Sequence, residues 1–293
     1  MITAVLAANK NLELIQQWYS DFRARFPKVL LTVSCIQPES QKLADYIKHI
    51  TGDYTRVFVA RPKDDHEVSF SENYNAAFNL VETDKFVLIH DDMQFCDNFF
   101  EILDQELDKL GQGNFITYTT FEPPVYTQHR RTGKIIMEWS NWEMFNSVAK
   151  AMQRGPDLIR QGSGFFSAGW TQDFYKIGGF DQNSFKVFCE DNDFVLRQEL
   201  KGFKSYVSNW ACSYHFVSRT SNNLSVQREQ LDQQSCSIFY EKWGIQSYQV
   251  YPTGRGKELL SHRPVSSFSE DFVENNLKFN YLDLQKQIDY VEL

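Results

Sequence analysis

Five short apolar runs, each separated from the next by a longer amphipathic stretch, constrain this chain more than any other feature. The runs are Ile2–Ala8, Val29–Ile36, Arg56–Ala60, Lys85–His90 and Asn114–Thr119. They are rich in Val, Leu, Ile and Phe and too short for ordinary helices, so they read as strands. Between them lie stretches of helical character at about 11–26, 39–50, 70–82 and 98–110. The third begins with Ser69 and has Glu72 three residues on, a capping-box pattern, and Tyr74, Ala77, Leu80 and Val81 mark one apolar face. Strand alternating with helix predicts an α/β domain with a mainly parallel sheet flanked by helices. Such sheets bind ligands beyond the carboxyl ends of their strands. Four places follow: Ala8–Lys10, Ile36–Glu39, Ala60–Asp65 and His90–Met93.

The pattern changes after the fifth run. Residues 121–161 carry Pro123, Pro124, Trp139, Trp142 and the basic His129-Arg130-Arg131, and read as a long, partly helical excursion. Gly164–Trp170 then reads as a strand, Asp173–Ile177 and Glu190–Lys201 as helices, and Tyr206–Tyr214 as a strand. Residues 221–293 are polar, with amphipathic pieces near 224–242 and 270–290. They are expected to form a helical extension packed on the core or an oligomer contact. The organisation expected is a domain over 1–220, divided into a nucleotide-binding half (1–120) and an acceptor and catalytic half (121–220), followed by the extension at 221–293.

With 42% hydrophobic residues among 293, the chain can bury a large core, and its 25 Phe and 14 Tyr are expected mainly there. A net charge of -8 argues against a broad basic face for nucleic acid. The five cysteines are scattered, with no CxxC spacing, and point to reduced structural thiols in a cytoplasmic setting. The start, MITAVLAANKN, lacks a basic leader and reads as a strand. No apolar run approaches the roughly 18 residues a membrane-spanning helix needs, which leaves peripheral membrane contact open.

Three groups of residues carry chemistry. His90-Asp91-Asp92-Met93 follows the run FVLI directly. Adjacent carboxylates at a strand end repel unless a cation or hydrogen bonds compensate, and a divalent ion such as Mg or Mn bridging to a diphosphate would do so. The bland alternative is a cap on the next turn. Second, GGFDQNSFKVFCEDNDFVLRQELKG (178–202) puts two glycines at a turn and Glu190-Asp191-Asn192-Asp193 at a helix start. The helix dipole alone favours carboxylates there, and a carboxylate also suits a general base beside a hydroxyl. Third, His215 lies between Tyr214 and Phe216 after an apolar run, where a core histidine is the commoner case.

In this order the pieces resemble the family 2 inverting glycosyltransferases of the GT-A fold, over about residues 1–220. NYNAAFNL (73–80) looks like that family's asparagine-bearing helix, and IHDDM (89–93) like a variant of its DxD metal motif. GGFDQNSF (178–185) with Glu190-Asp191 is similar to its acceptor loop and catalytic base, and His215 stands where a late metal-binding histidine often falls. The resemblance implies a nucleotide-diphosphate sugar as donor and a divalent metal, Mn or Mg, as cofactor. It makes Asp92 and His215 metal ligands, and Asp91 a contact to ribose or the metal shell. Asp191 becomes the general base, and Glu190 orients acceptor or base. Ala8 and Asn9 would line the nucleotide pocket, and Asn73 would approach the base or diphosphate. The acceptor, whether glycan, lipid-linked or protein, is not implied.

Two departures stand out. CIQPES (35–40) lacks the pair of Asp that many members carry after the second strand, so Asp64 or Asp65 after the third is the expected substitute. His90 replaces the first acid of the metal motif. Among other classes, a nucleotidylyltransferase needs a glycine-rich basic loop where this chain has AANKN, and an aspartyl phosphatase needs its acidic motif after the first strand. A non-catalytic carbohydrate- or nucleotide-sugar-binding protein of the same fold remains the rival; Asp92, Asp191 and His215 together weigh against it. Four further side chains carry smaller expectations. Trp170 is read as a core residue or a sugar-stacking one, Arg197 as a structural ion-pair partner, and Arg255 and Lys257 as part of a lid over the donor.

Overall fold

A computed structural model describes residues 1–8, 12–64, 66–121, 167–215, 226–247 and 290–292. The strands are β1 (Ile2–Ala7), β2 (Leu30–Ile36), β3 (Thr55–Pro62), β4 (Lys85–Ile89), β5 (Met93–Phe95), β6 (Asn114–Phe121), β7 (Ser167–Trp170), β8 (Lys204–His215) and β9 (Tyr290–Glu292). The helices are α1 (Leu12–Arg25), α2 (Gln41–His49), α3 (Phe70–Phe78), α4 (Phe99–Leu110), α5 (Thr171–Ile177), α6 (Glu190–Leu200) and α7 (Val226–Trp243).

One sheet contains all the described strands, in the order β5-β8-β6-β7-β4-β1-β2-β3-β9. β4, β1, β2 and β3 run parallel, and β6 and β8 share their direction, whereas β5, β7 and β9 oppose it. The sheet is therefore mainly parallel, as the alternating pattern predicts. β1 shows why its sequence is a continuous apolar run: every residue is buried, because both faces of the sheet are covered. Ile2, Ala4 and Leu6 point to one side, against Trp18 and Phe22 of α1, Leu43 and Ile47 of α2, and Leu103 and Leu107 of α4. Val5 and Ala7 point to the other, against Tyr74 and Phe78 of α3, Phe174 of α5 and Phe194 of α6.

The aromatic content is spent on this core. Phe78 stacks on Phe174 at 3.8 Å, Phe174 meets Phe86 and Phe194 at 5.3 Å, and Phe22, Phe26, Phe95, Phe99 and Phe100 form a second ring cluster. Each such ring, fully buried, contributes about 1.5–3 kcal/mol.

Three features differ from the sequence reading. α3 ends at Phe78 and is buried from Ser71 to Phe78 on every side, not along one face. The short β5 directly after the acid motif pairs with the end of β8. In the C-terminal extension, α7 is helical as expected, but residues 290–292 form β9, an antiparallel edge strand on β3. The expected excursion at 121–161 lies outside the described residues apart from Phe121, as do most of the 270–290 piece and Arg255 and Lys257.

Gly169 on β7 lies where the packing leaves no room. A Cβ there would meet the Phe115 ring at 2.7 and 2.8 Å and Phe86 at 3.2 Å. Gly169→Ala is expected to destabilise the fold by about 1–3 kcal/mol through overpacking, read as a lower midpoint in urea unfolding with an unchanged slope. A neutral result would mean that these rings move aside freely.

Candidate active site

The carboxyl ends of β1, β2, β3 and β4 lie side by side, and α3 ties three of the segments around them together. Its start carries the predicted capping box: Ser69 Oγ accepts from Glu72 N–H at 2.9 Å, and Ser69 N–H donates to the Glu72 carboxylate at 3.3 Å. Three consecutive side chains then point in three directions, as 100° per residue requires. Asn73 Oδ1 accepts from Ile36 N–H, at the end of β2, at 3.3 Å. Tyr74 donates its hydroxyl to Ile89 O, the last residue of β4, at 2.5 Å. Asn75 holds the loop after α5, the expected acceptor loop, from both sides, accepting from Phe180 N–H at 3.0 Å and donating to Phe180 O and Gln182 Oε1 at 2.9 Å. All three residues are fully buried.

The acid motif leaves β4 on this support. The His90 ring packs against Phe70 and Tyr74, at 5.7 and 6.0 Å between centroids. Asp92 is buried and Asp91 half-buried. Their charges reach the groups around them. Tyr74 is held well above its ordinary value by burial first, then by Tyr118, Asp91 and Asp92. Tyr118, which donates to Leu88 O at 2.8 Å, is held up by burial and by Asp92. Cys35 on β2 is pushed up to about 12 by burial and then by Asp91. The next residue, Met93, lies directly opposite His215 in the β5–β8 ladder. The chain thus returns His215 to within one residue of Asp92 in register, across more than a hundred residues. Among the described residues no group of three or more His, Cys, Asp or Glu side chains forms a metal-binding cluster.

The second half of the site is the loop between α5 and α6. Gly178 and Gly179 both take left-handed backbone (φ 95° and 67°), and both N–H groups return to Phe174 O at 3.1 Å, closing α5. Asp181 Oδ1 accepts from Asn183 and Ser184 N–H at 3.1 and 3.0 Å. Lys186 O accepts from Phe70 N–H at 3.0 Å, a second tie to α3. Phe188 and Cys189 then adopt left-handed backbone in succession (φ 66° and 65°) directly before Glu190-Asp191. Non-glycine residues there store about 1–3 kcal/mol each and persist only where surrounding structure enforces them.

Around this turn, four charges are buried together. Arg197 pairs with Asp193 at 2.8 Å, both fully buried, as the structural reading of Arg197 expects. Lys242 from α7 pairs with Asp193 at 2.7 Å and Asp181 at 2.9 Å, and Trp243 Nε1 donates to Asp193 Oδ1 at 2.9 Å. Burial raises the Asp193 pKa, but Arg197 and Lys242 outweigh it and hold the carboxyl below its ordinary value. Glu190 behaves oppositely. Its Oε2 is buried with no hydrogen-bond partner among the described residues, and burial first, then the charges of Asp191 and Asp193, push it up to about 8. Asp191 is half-buried, with Oδ1 accepting from Asn192 N–H at 2.9 Å.

Several predicted positions stand elsewhere or are only partly placed. Asp64 is largely exposed; its carboxylate is engaged at 2.6 Å by His66 Nδ1, which lowers its pKa, and His66 Nε2 reaches Glu72 at 3.2 Å. Ala8 is buried just past β1 and donates its N–H to Ser34 O at 2.8 Å. Asn9 and Asp65 lie outside the described residues, as do His129, Arg130 and Arg131. The sugar-stacking reading of Trp170 is corrected. It pairs with Lys85, the first residue of β4, and so lies at the opposite edge of the sheet from the acid motif, with the Lys85 ammonium 5.2 Å from its ring. Sequence reasoning also missed Asn75 and Lys242, since neither sits in a motif whose spacing reveals its partner. All five cysteines are free thiols.

No protein-family model matches the chain, and no curated protein matches it in sequence. Solved structures do match in shape. The crystal structure of GalNAc-T7 with UDP, GalNAc and Mn2+ aligns with a TM-score of 0.58 at 12% identity, over 98% of this chain and 56% of that one. The chain thus spans just over half the length of GalNAc-T7. Residues 1-349 of S. aureus TarS in complex with UDP-GlcNAc align at 0.54 and 10% identity, over 98% of this chain and 91% of that one. TarS 1-349 in a further crystal structure aligns at 0.53 and 11% identity. The fold is accordingly the mixed α/β, GT-A-like fold of these proteins.

The Glu190 environment makes a testable statement about stability. Its pKa rises from an ordinary 4.5 to about 8. Between those values the native state binds more protons than the unfolded chain, so this group's contribution to stability falls as pH rises through the window. Glu190→Gln is expected to gain thermal stability relative to the parent protein between about pH 5 and about pH 8. A difference in melting temperature independent of pH would show that Glu190 titrates as an ordinary exposed acid.

Proposed function

We infer that this protein is a sugar transferase that takes a glycosyl unit from a nucleotide-diphosphate sugar and passes it, with inversion, to an acceptor hydroxyl. The observation that carries this reading is the fastening of the acid motif and of the loop leading to Glu190-Asp191 to one buried helix, through Tyr74 on one side and Asn75 on the other. The fold supports it: GalNAc-T7 is crystallised with UDP and Mn2+, and TarS with UDP-GlcNAc.

On this reading Ala8 and Asn73 approach the nucleotide from the ends of β1 and β2. The Asn73 Nδ2 group is buried without an acceptor among the described residues, which suits a donor facing a polar ligand. Asp64 and Asp65 take the position after β3 where base or ribose recognition falls. The donor set for a small divalent cation is chemically suitable: two adjacent carboxylates, Asp91 and Asp92, with His215 beside them in register. Asp92 and His215 would hold the ion, Mn or Mg, which when bound neutralises charge developing on the departing diphosphate.

Asp191, half-buried and flanked by buried acids, takes the proton from the acceptor hydroxyl as that oxygen attacks the anomeric carbon. The glycosidic bond to the diphosphate breaks as the new one forms, so no covalent sugar–enzyme intermediate arises. Glu190, whose pKa is pushed up by burial and then by the charges of Asp191 and Asp193, orients the acceptor or the base. On this reading residues 121–220 form the acceptor half, and the extension at 221–293 is a contact for self-association.

The donor is identified by a thermal-shift screen of UDP-, GDP- and dTDP-sugars with and without Mn2+, since a ligand binding the native state raises the midpoint by mass action. A UDP-sugar with Mn2+ is expected to give the largest shift; no shift from any nucleotide sugar would sink the reading. Asp191→Asn is expected to abolish transfer while leaving that shift nearly intact, and retained turnover would remove Asp191 from the base role. A chelator is expected to stop turnover and added Mn2+ or Mg2+ to restore it. Full activity in metal-free buffer would contradict the part given to Asp92.

A further inference from the structure

The geometry points to Lys242, on the last turn of α7 and far from every motif in the sequence, as the residue that positions the catalytic turn. This rests on the sugar-transfer reading for the roles of Glu190 and Asp191. The ammonium bridges two carboxylates that bracket that turn. Asp181, at 2.9 Å, stands where the acceptor loop begins, and Asp193, at 2.7 Å, stands in the first turn of α6. Both carboxylates are essentially inaccessible, and only 11% of the Lys242 side chain is exposed. Between the bracketed points lie Phe188 and Cys189 in left-handed backbone, followed by Glu190 and Asp191. Strained backbone of that kind needs an external restraint.

α7 supplies more of it. Ser235 Oγ donates to Val187 O at 2.6 Å, Phe239 packs on Phe185, and Asn192 Nδ2 reaches Ser247 O, just past α7, at 3.3 Å. The Lys242 ammonium also lies 5.6 Å from the Phe185 ring. The remaining partners of Asp193 do not substitute for Lys242. Arg197 links Asp193 to Ile177 O at the end of α5, at 2.9 Å, and Trp243 reaches only Asp193, so neither touches Asp181. Among the described residues, Asp181 Oδ2 is tied to Lys242, while Oδ1 is occupied by the local turn. Lys242 therefore joins Asp181 to Asp193 across the loop, which the local contacts do not.

A positioning role separates turnover from donor binding, because the nucleotide pocket lies on the β1–β4 side of α3. The test uses the full chain with UDP-GlcNAc and Mn2+, following UDP release. Lys242→Met keeps the aliphatic stem and removes the charge. It is expected to lower kcat by about tenfold or more while KM for the donor stays within about twofold, and Lys242→Arg is expected to recover most of the loss. Asp181→Asn, which keeps the oxygen its own turn needs, is expected to move kcat in the same direction. It carries the test if circular dichroism shows Lys242→Met to be unfolded. Amide hydrogen exchange over 182–192 is expected to speed up in Lys242→Met without change in β1–β4. Unchanged kcat, or kcat and KM altered together, overturns the positioning role. If the parent protein neither binds nor turns over any of the UDP-, GDP- or dTDP-sugars, the sugar-transfer reading fails, and the exchange measurement still decides whether Lys242 restrains the turn.

Discussion

A nine-residue helix with polar residues at its centre holds this site together. Each buried polar group left without a partner costs about 1–3 kcal/mol. The backbone at the end of β2 donates to Asn73 Oδ1, and the loop after α5 meets both ends of the Asn75 amide, whereas Asn73 Nδ2 has no acceptor among the described residues. Tyr74 between them closes on the last residue of β4. The rotation of 100° per residue turns three adjacent positions into three separate fasteners, so that displacing α3 would disturb the strand end, the acid motif and the acceptor loop together. The capping box at Ser69 and Glu72 fixes where the rotation starts.

Two groups of carboxylates sit on either side of this helix and are treated differently. Near β4, burial first, then Asp91 and Asp92 at Tyr74 and Asp92 at Tyr118, raise the pKa of both tyrosines, whose hydroxyls donate to the strand carbonyls. At α6, Asp193 and Asp181 are neutralised by Arg197 and Lys242, whereas burial and neighbouring charge hold a proton on Glu190. Charge is thus balanced by ion pairs at Asp181 and Asp193. Removing one member of a buried ion pair typically costs about 3–5 kcal/mol, so this balance is also a demand on stability.

Much of the fold was legible because a doubly covered parallel strand leaves a continuous apolar signature. β1, β2 and β4 fall within a residue or two of their apolar runs, and the pattern around Ser69 locates the start of α3. β5 was not legible, since three residues carry no period of their own and its pairing depends on β8, far along the chain. α3 differed by the opposite route: its apolar residues mark one face in the sequence, yet Asn73 and Asn75 are buried too, since Ile36 N–H at a strand end and the Phe180 backbone bond to them. Trp170 shows the same limit, because a tryptophan at a strand end reads alike at either edge of a sheet.

By itself, the sequence determined the alternation of strand and helix, the acid pair at the end of β4, and the glycine turn leading to Glu190-Asp191, since each rests on neighbouring residues and on local periodicity. Only the tertiary structure decided that Asn75 holds the acceptor loop, that His215 returns beside the acid motif, and that Lys242 joins Asp181 to Asp193. Those relations hold between segments tens to more than a hundred residues apart. Hydrogen bonds and ion pairs act over a few ångströms, so a residue's partner is set by how the chain packs and leaves no trace in its neighbours in sequence.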